Sequence, residues 1–316
     1  MNKWMKTYWR QRHNSNFASF KYFEYEYAEK INDEFAKIKI DPRTIQHIQN
    51  PSEQVQLIAV KQDGHVIKHI VEKGITPSEE VKLAAVKKSG NAIEYIKNPS
   101  EELQIIAIRR NPNLIKYIEN PSEEIQLIVV KQDGNSIHFI QNPSEEIQMA
   151  AVTKTTNSIK HIQNPSEQVQ LAAVQQNGYA IGFIKNPTEK VQLVAIRENS
   201  NSIKNIKNPS EQIQLAAVQK SGMAIEHIQN PSEQVQLAAV QQSAGAIYYI
   251  MKWGDRPSEQ VQMAAVQQSG DVINFIYKPS EQVQMAAVQQ NGKSFRHIKN
   301  PTPKVIELAK SKGIKI

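Results

Sequence analysis

The chain has 316 residues, of which 40% are hydrophobic and 22% charged, a composition that excludes global disorder. It contains no cysteine, which excludes disulfides, thiolate zinc sites and cysteine nucleophiles and fits a reducing cytoplasm. Lys and Arg exceed Asp and Glu by 38 to 31, so the net charge of +7 permits nucleic acid or an acidic protein as partner, but it is diluted over a large molecule.

No apolar run approaches the roughly 18 residues that span a bilayer, and the N-terminus lacks a secretory apolar segment. The expectation is a soluble cytoplasmic protein without a membrane partner. Residues 1–28 are basic and aromatic: Trp4, Tyr8, Trp9, Phe17, Phe20, Tyr22, Phe23, Tyr25 and Tyr27 crowd there. Their helical spacing suits a cap over the open end of a repeat stack, and the alternative is a basic-aromatic binding arm. Residues 29–50 form a divergent first repeat, because Asp41 to Asn50 aligns with Asn111 to Asn120, the second half of a later unit.

Eleven full repeats follow over residues 51–300, beginning at Pro51, Pro77, Pro99, Pro121, Pro143, Pro165, Pro187, Pro209, Pro231, Pro257 and Pro279. The unit from Asn164 to Asn186 reads as two helices. Asn164 is a candidate N-cap, Pro165 suits the first helical position, and Glu167 sits where a capping box places its carboxylate. Val169, Leu171, Ala172, Ala173 and Val174 give a broad apolar face, and Asn177-Gly178 offers a left-handed stop after about twelve residues. Ala180, Ile181 and Ile184 then predict a short α or 3₁₀ helix.

The step is 22 residues except from Pro51 to Pro77 and from Pro231 to Pro257, where it is 26. The four extra residues amount to about one helical turn. Gly74 and Gly254 stand where a lengthened second helix would end. Residues 301–316, with Lys304, Lys310, Lys312 and Lys315, read as a polar C-terminal cap.

A unit this short cannot bury its apolar face alone, so stacking creates the core. The expected fold is all-α, a right-handed α-solenoid, with small residues such as Ala172 and Ala173 allowing close approach. A glutamine recurs at Gln56, Gln104, Gln126, Gln148, Gln170, Gln192, Gln214, Gln236, Gln262 and Gln284. A row of side-chain amides satisfying one another along the stack is the favoured reading, with a ligand-binding row as the alternative. Variation concentrates in the second helix, at the positions of His65, Tyr179 and Met223 and of Lys68, Gly182 and Tyr248.

The Asn-Pro-Ser-Glu-Glu-Ile-Gln stretch at Asn120 to Gln126, with Ala-Val-Lys-Lys-Ser-Gly at Ala85 to Gly90, resembles an uncharacterised helical repeat family of phage, giant-virus and protist proteins. The alternation of a long and a very short helix is more distantly similar to leucine-rich repeat variant solenoids. The resemblance covers roughly residues 41 to 302. It implies a solenoid and a phage or viral origin, and it brings no activity.

Catalytic signals are weak. His65 and His69 alone have the i, i+4 spacing of a metal pair, and no carboxylate cluster completes it. Neither a phosphate-cradling glycine loop nor a nucleophile elbow occurs, so no enzyme, metal or cofactor is expected. Nucleic acid is the alternative partner, through Lys61, Lys87, Arg109, Lys131 and Arg197 at first-helix ends and through Lys68, Lys116, Lys160 and Lys204 in alternate second helices. Acids at helix starts and bases at helix ends are, however, what the helix dipole favours on any solvated helix. The reading is a non-enzymatic scaffold for a protein partner. Its candidate contacts are Lys68, Lys116, Lys160, Lys204, Arg296, Tyr179, Tyr248, Tyr249 and Trp253. The sequence does not fix the oligomeric state.

Overall fold

The computed structural model describes residues 34–252, 254 and 256–315. The aromatic segment 1–28 and Trp253 lie outside the described residues. Among the described residues the secondary structure is helical throughout, without strands. The chain divides into two compact units, residues 1–143 and 144–316. Within each, consecutive repeats stack helix on helix, the arrangement of an all-α solenoid.

Nine of the eleven full repeats supply a ten-residue α-helix such as Glu167–Gln176 and a six-residue 3₁₀ helix such as Gly178–Phe183. The divergent first repeat keeps this pattern in Glu34–Ile40 and Pro42–His47. The α-helix starts two residues later than the Asn-Pro reading predicts. Ser166, not Asn164, is the N-cap, and its hydroxyl accepts the Val169 N–H. The asparagine of this motif has another task. Asn98, Asn120, Asn142, Asn186, Asn208 and Asn230 take φ between 45° and 52°, turning the chain between repeats, and asparagine tolerates this left-handed state better than most residues.

The predicted left-handed stop at Asn177-Gly178 is also corrected. Asn177 is extended at φ −153°, and its side chain accepts the Tyr179 N–H, so one residue ends the α-helix and caps the 3₁₀ helix. Gly178 is glycine for space rather than for φ. A Cβ there would lie 2.5 Å from the Ala195 carbonyl oxygen of the next repeat and 2.7 Å from the Ser202 hydroxyl. Adjacent repeats therefore touch backbone to backbone.

Val169, Ala173, Val174, Ala180 and Ile181 are buried, whereas Leu171 and Ala172 are half-buried. Close approach thus depends on Ala173, whose equivalents are alanine in every full repeat but the one with Val129. The neighbouring register accepts Ile58, Ile106, Ile128 and Val194. The glutamine row does not form an amide ladder. Gln56, Gln104, Gln126, Gln170, Gln192, Gln214, Gln236, Gln262 and Gln284 each donate from Nε2 to the proline carbonyl five residues earlier, at 2.9–3.0 Å. The amide closes the entry to its own helix, because a freed carbonyl before the first turn needs a donor.

Two other sets of contacts join repeats. In the first, the capping hydroxyl donates to the preceding repeat's glutamate. Ser122 reaches Glu101 at 3.1 Å in the first unit. In the second unit, Thr188 reaches Glu167 at 3.2 Å, Ser210 reaches Glu189 at 3.3 Å, and Ser166, Ser232, Ser258 and Ser280 reach Glu145, Glu211, Glu233 and Glu259. One hydroxyl accepts a backbone N–H and donates to a carboxylate, which uses both its capacities.

In the second set, the side chain ending one α-helix donates to carbonyls ending the previous one. Gln62 reaches Ile38 at 3.0 Å, Arg110 reaches Lys88 at 3.2 Å, Gln268 reaches Gln241 at 2.8 Å, and Lys312 reaches Gln289 at 3.1 Å. These carbonyls have no partner inside their own helix, so each repeat caps its predecessor.

The two insertions lengthen the second helix as predicted. It becomes α-helical over Ile67–Glu72 and Ala246–Lys252, and Gly74 and Gly254 take φ of 76° and 86°. Lys73 in the first insertion donates to the Ile45 carbonyl at 2.9 Å and to that of Ile48, tying the insert to the preceding repeat. At the C-terminus, the helix Pro303–Ser311 buries Val305 and Ala309, and Ile314 lies over Gly292.

Candidate interaction surface

The 3₁₀ helices place their variable side chains outward. Ile181 and its equivalents point into the core, so residues one position later, the register of Lys68 and Gly182, face solvent. Lys68, Lys116, Lys160, Lys204 and Arg296 are all exposed there. They do not form a basic row, since Glu94, His138, Gly182, Glu226, Tyr248 and Asn274 hold the same register.

Several of these lysines rest on aromatic faces. Lys116 lies 4.8 Å from the centroid of Tyr117, and Lys204 lies 4.8 Å from that of Tyr179 one repeat earlier. Lys68 is 5.8 Å from the Tyr95 ring and 3.8 Å from the Glu72 carboxylate. Arg296 donates to the His297 ring at 3.0 Å. These contacts hold flexible ammonium groups over the rings without removing them from water.

A second feature is aromatic. Tyr248 packs edge-on against Tyr249 and against Phe275, with ring centroids 5.2 Å apart in both pairs. Tyr248 is 42% exposed, Phe275 40% and Tyr277 63%. Sequence reading picked out the two tyrosines and missed Phe275 and Tyr277. The signal was present, because Phe275 shares the register of Tyr249 and Phe183. That register is half-buried at Tyr95, Tyr117 and Tyr249, and it opens to solvent at His161, Phe183 and Phe275.

The basic residues at first-helix ends divide by position. Lys61, Lys87, Arg109, Lys131 and Arg197 are exposed, while Arg110, Lys220 and Lys312 are engaged in capping the preceding helix. Glutamates occupy the opposite end of the same helices. Glu167 is held below the ordinary carboxylate value by Lys190, 2.9 Å away, and by the Thr188 hydroxyl.

His65 and His69 do not make a metal pair. His65 turns to Asp63 at 3.2 Å and to the Ser89 hydroxyl, and His69 turns to Glu72 at 3.5 Å. Burial opposes ionisation of Asp63, but the His65 backbone N–H and ring outweigh it and lower the carboxyl below its usual value. Among the described residues no three His, Asp or Glu side chains gather into a metal-sized cluster, and no helix is long and apolar enough to cross a membrane. Compared with known protein families, with curated proteins and with solved structures, the chain matches none.

Proposed function

We propose that the chain is a non-enzymatic repeat scaffold whose variable second-helix surface binds a protein partner. The observation that carries this reading is the exposed, contacting pair of Tyr248 and Phe275 beside residues that merely repeat the framework. Rigid aromatic side chains that stay half-exposed while touching one another are the type of residue that anchors protein interfaces. The mixture of Lys, Glu, Asn and Tyr along the same register also favours a protein over a uniformly anionic polymer. The family resemblance extends the proposal to an accessory factor of a phage or virus.

The test is site-specific photocrosslinking in the full chain, with a benzophenone side chain at Tyr248 or, as control, at exposed Gln168. Incubation with host lysate should give a discrete protein adduct from position 248 alone, lost when Phe275→Ser is added. Equal adducts from both positions, or none, overturn the reading. A nucleic-acid reading has one observation of its own, the exposed Lys61, Lys87, Arg109 and Lys131 of the first unit. Salt-sensitive binding of duplex DNA or structured RNA that is lost when these are changed to Glu would support it.

A further inference from the structure

Gly182 interrupts the outward register between Lys160 and Lys204. The Phe183 ring beside it is 49% exposed. Two shallow depressions meet at this ring. One is lined by Lys160, His161, Gln170, Phe183, Lys185 and Asn186, among others. The other is lined by Asn157, Asn177, Tyr179, Phe183, Lys204 and Asn205, with Gly182 at its edge. Tyr179 forms a wall, and the Lys204 ammonium lies over it at 4.8 Å.

The charge around this gap has one sign. Residues 153–166, 175–188 and 199–210 contain no Asp or Glu, and they supply Lys154, Lys160, Lys185, Lys204 and Lys207. Of the nearest acids, Glu167 is engaged with Lys190 and Thr188, Glu189 with Ser210, and Glu198 with Arg197 at 3.7 Å. Glu226, one register position beyond Lys204, bounds the patch. Among the described residues, Lys160, Lys185, Lys204 and Lys207 form no ion pair.

We infer that the gap is a binding site for single-stranded nucleic acid, with a base stacked on Phe183 and the flanking phosphates held by Lys160, Lys185 and Lys204. An open aromatic face beside cations that track a backbone is the arrangement that binds single strands without sequence preference. The amides of Asn157, Asn177 and Asn205 offer both donors and acceptors to base edges. Lys160 and Lys204 are two repeats apart, roughly 16–20 Å at ordinary helix spacing, a span of several nucleotides. An acidic peptide would satisfy the lysines, but it gives no role to the exposed flat ring of Phe183. The inference goes beyond the protein-binding proposal, and it rests on different repeats from Tyr248.

Fluorescence anisotropy with fluorescein-labelled dT12 tests it on the full chain. Binding should weaken with salt at a logarithmic slope of about −2 to −3, from three to four neutralised phosphates. Phe183→Ala should weaken binding about 5- to 150-fold, the loss of one base–aromatic stack. Gly182→Lys is the decisive variant. Every other full repeat carries a side chain at this register, and the three atoms nearest an added Cβ all belong to the exposed Asn205 side chain, at 3.3–3.5 Å. The variant therefore folds, adds a cation and fills the gap. Weaker binding by Gly182→Lys supports a stacked base. Tighter binding by Gly182→Lys with no effect of Phe183→Ala, no binding at low salt, or equal displacement by polyglutamate each overturns the inference. Tyr248→Ser should leave dT12 binding unchanged, so this result and the crosslinking result stand or fall separately.

Discussion

Gly222→Ala isolates the backbone contact between repeats. An ideal Cβ at Gly222 would lie 2.3 Å from the Ala239 carbonyl oxygen and 3.0 Å from both the Gln242 Oε1 and the Ser243 Cβ. Ordinary contact begins at 3.4 Å, so the two repeats must part by about 1 Å, or the Gln242 amide, which accepts the Gly222 N–H at 2.5 Å, must move with them. The φ of Gly222 is not positive, so alanine would by itself gain about 0.4–1 kcal/mol through the unfolded state. Overpacking of about 1–3 kcal/mol opposes this gain.

Pro112, Thr156, Ser200 and Ala244 occupy the same register elsewhere, so an interface can be built around a Cβ. The expected net loss is therefore about 1–2 kcal/mol, in the lower half of the overpacking range. For a unit of this size the melting temperature should fall by about 2–8 °C. Gly182→Ala is the control, since the atoms nearest its Cβ belong to the Asn205 side chain, at 3.3 Å or more; it should be neutral or slightly stabilising. Circular-dichroism melts and urea titrations of both variants give the comparison. If Gly222→Ala matched or exceeded the wild type in stability, the close-approach argument would be refuted.

Ser232→Ala removes both the cap on Val235 and the donor to Glu211, so a loss of about 0.5–2 kcal/mol is expected in urea titration. In a double-mutant cycle with Glu211→Gln, the two changes should couple; strict additivity would deny the cross-repeat bond. Ala173→Leu should lower the melting temperature while Ala172→Leu should not, because Ile58, Ile106 and Ile128 already fill the second register. Lys190→Ala should raise the Glu167 titration midpoint seen by carboxyl NMR towards 4.5. Because the folded value is depressed, that carboxylate stabilises the fold above its unfolded value, and the contribution disappears as pH falls through the folded value. A midpoint insensitive to Lys190 would contradict this pairing.

The period, the pair of helices and the lengthened helices at Gly74 and Gly254 were legible in the sequence because each depends on local chemistry. The start of the first helix was misread for a local reason too. Asn-Pro-Ser-Glu contains two capping residues, and proline at the first position favoured the wrong one. Lys278 shows why the structure chooses otherwise, since it takes φ 50° where most repeats have asparagine; the position is a turn. The glutamine row misled because a polar residue recurring at one register, broken only by Lys82, suggests a ladder, while the proline carbonyl five residues back is visible only once the chain is bent around it. The Ser–Glu and side-chain-to-carbonyl contacts join residues 21 to 27 apart, so no local pattern announces them. Phe183 was hidden in another way: its register is half-buried in some repeats and open in others, so residue type alone does not announce its exposure.

The hydroxyl of each capping Ser or Thr has a further consequence. In the second unit it bonds only within its own repeat and to the repeat just before it. Excision of residues 165–186 would bring Pro187 after Asn164, and Thr188 would meet Glu145 where it had met Glu167, a hydroxyl-to-carboxylate bond of the same type. The number of repeats is thus a free variable for the gene. Unequal recombination within the tandem array can lengthen or shorten the protein in steps of 22 residues without asking any core position to change.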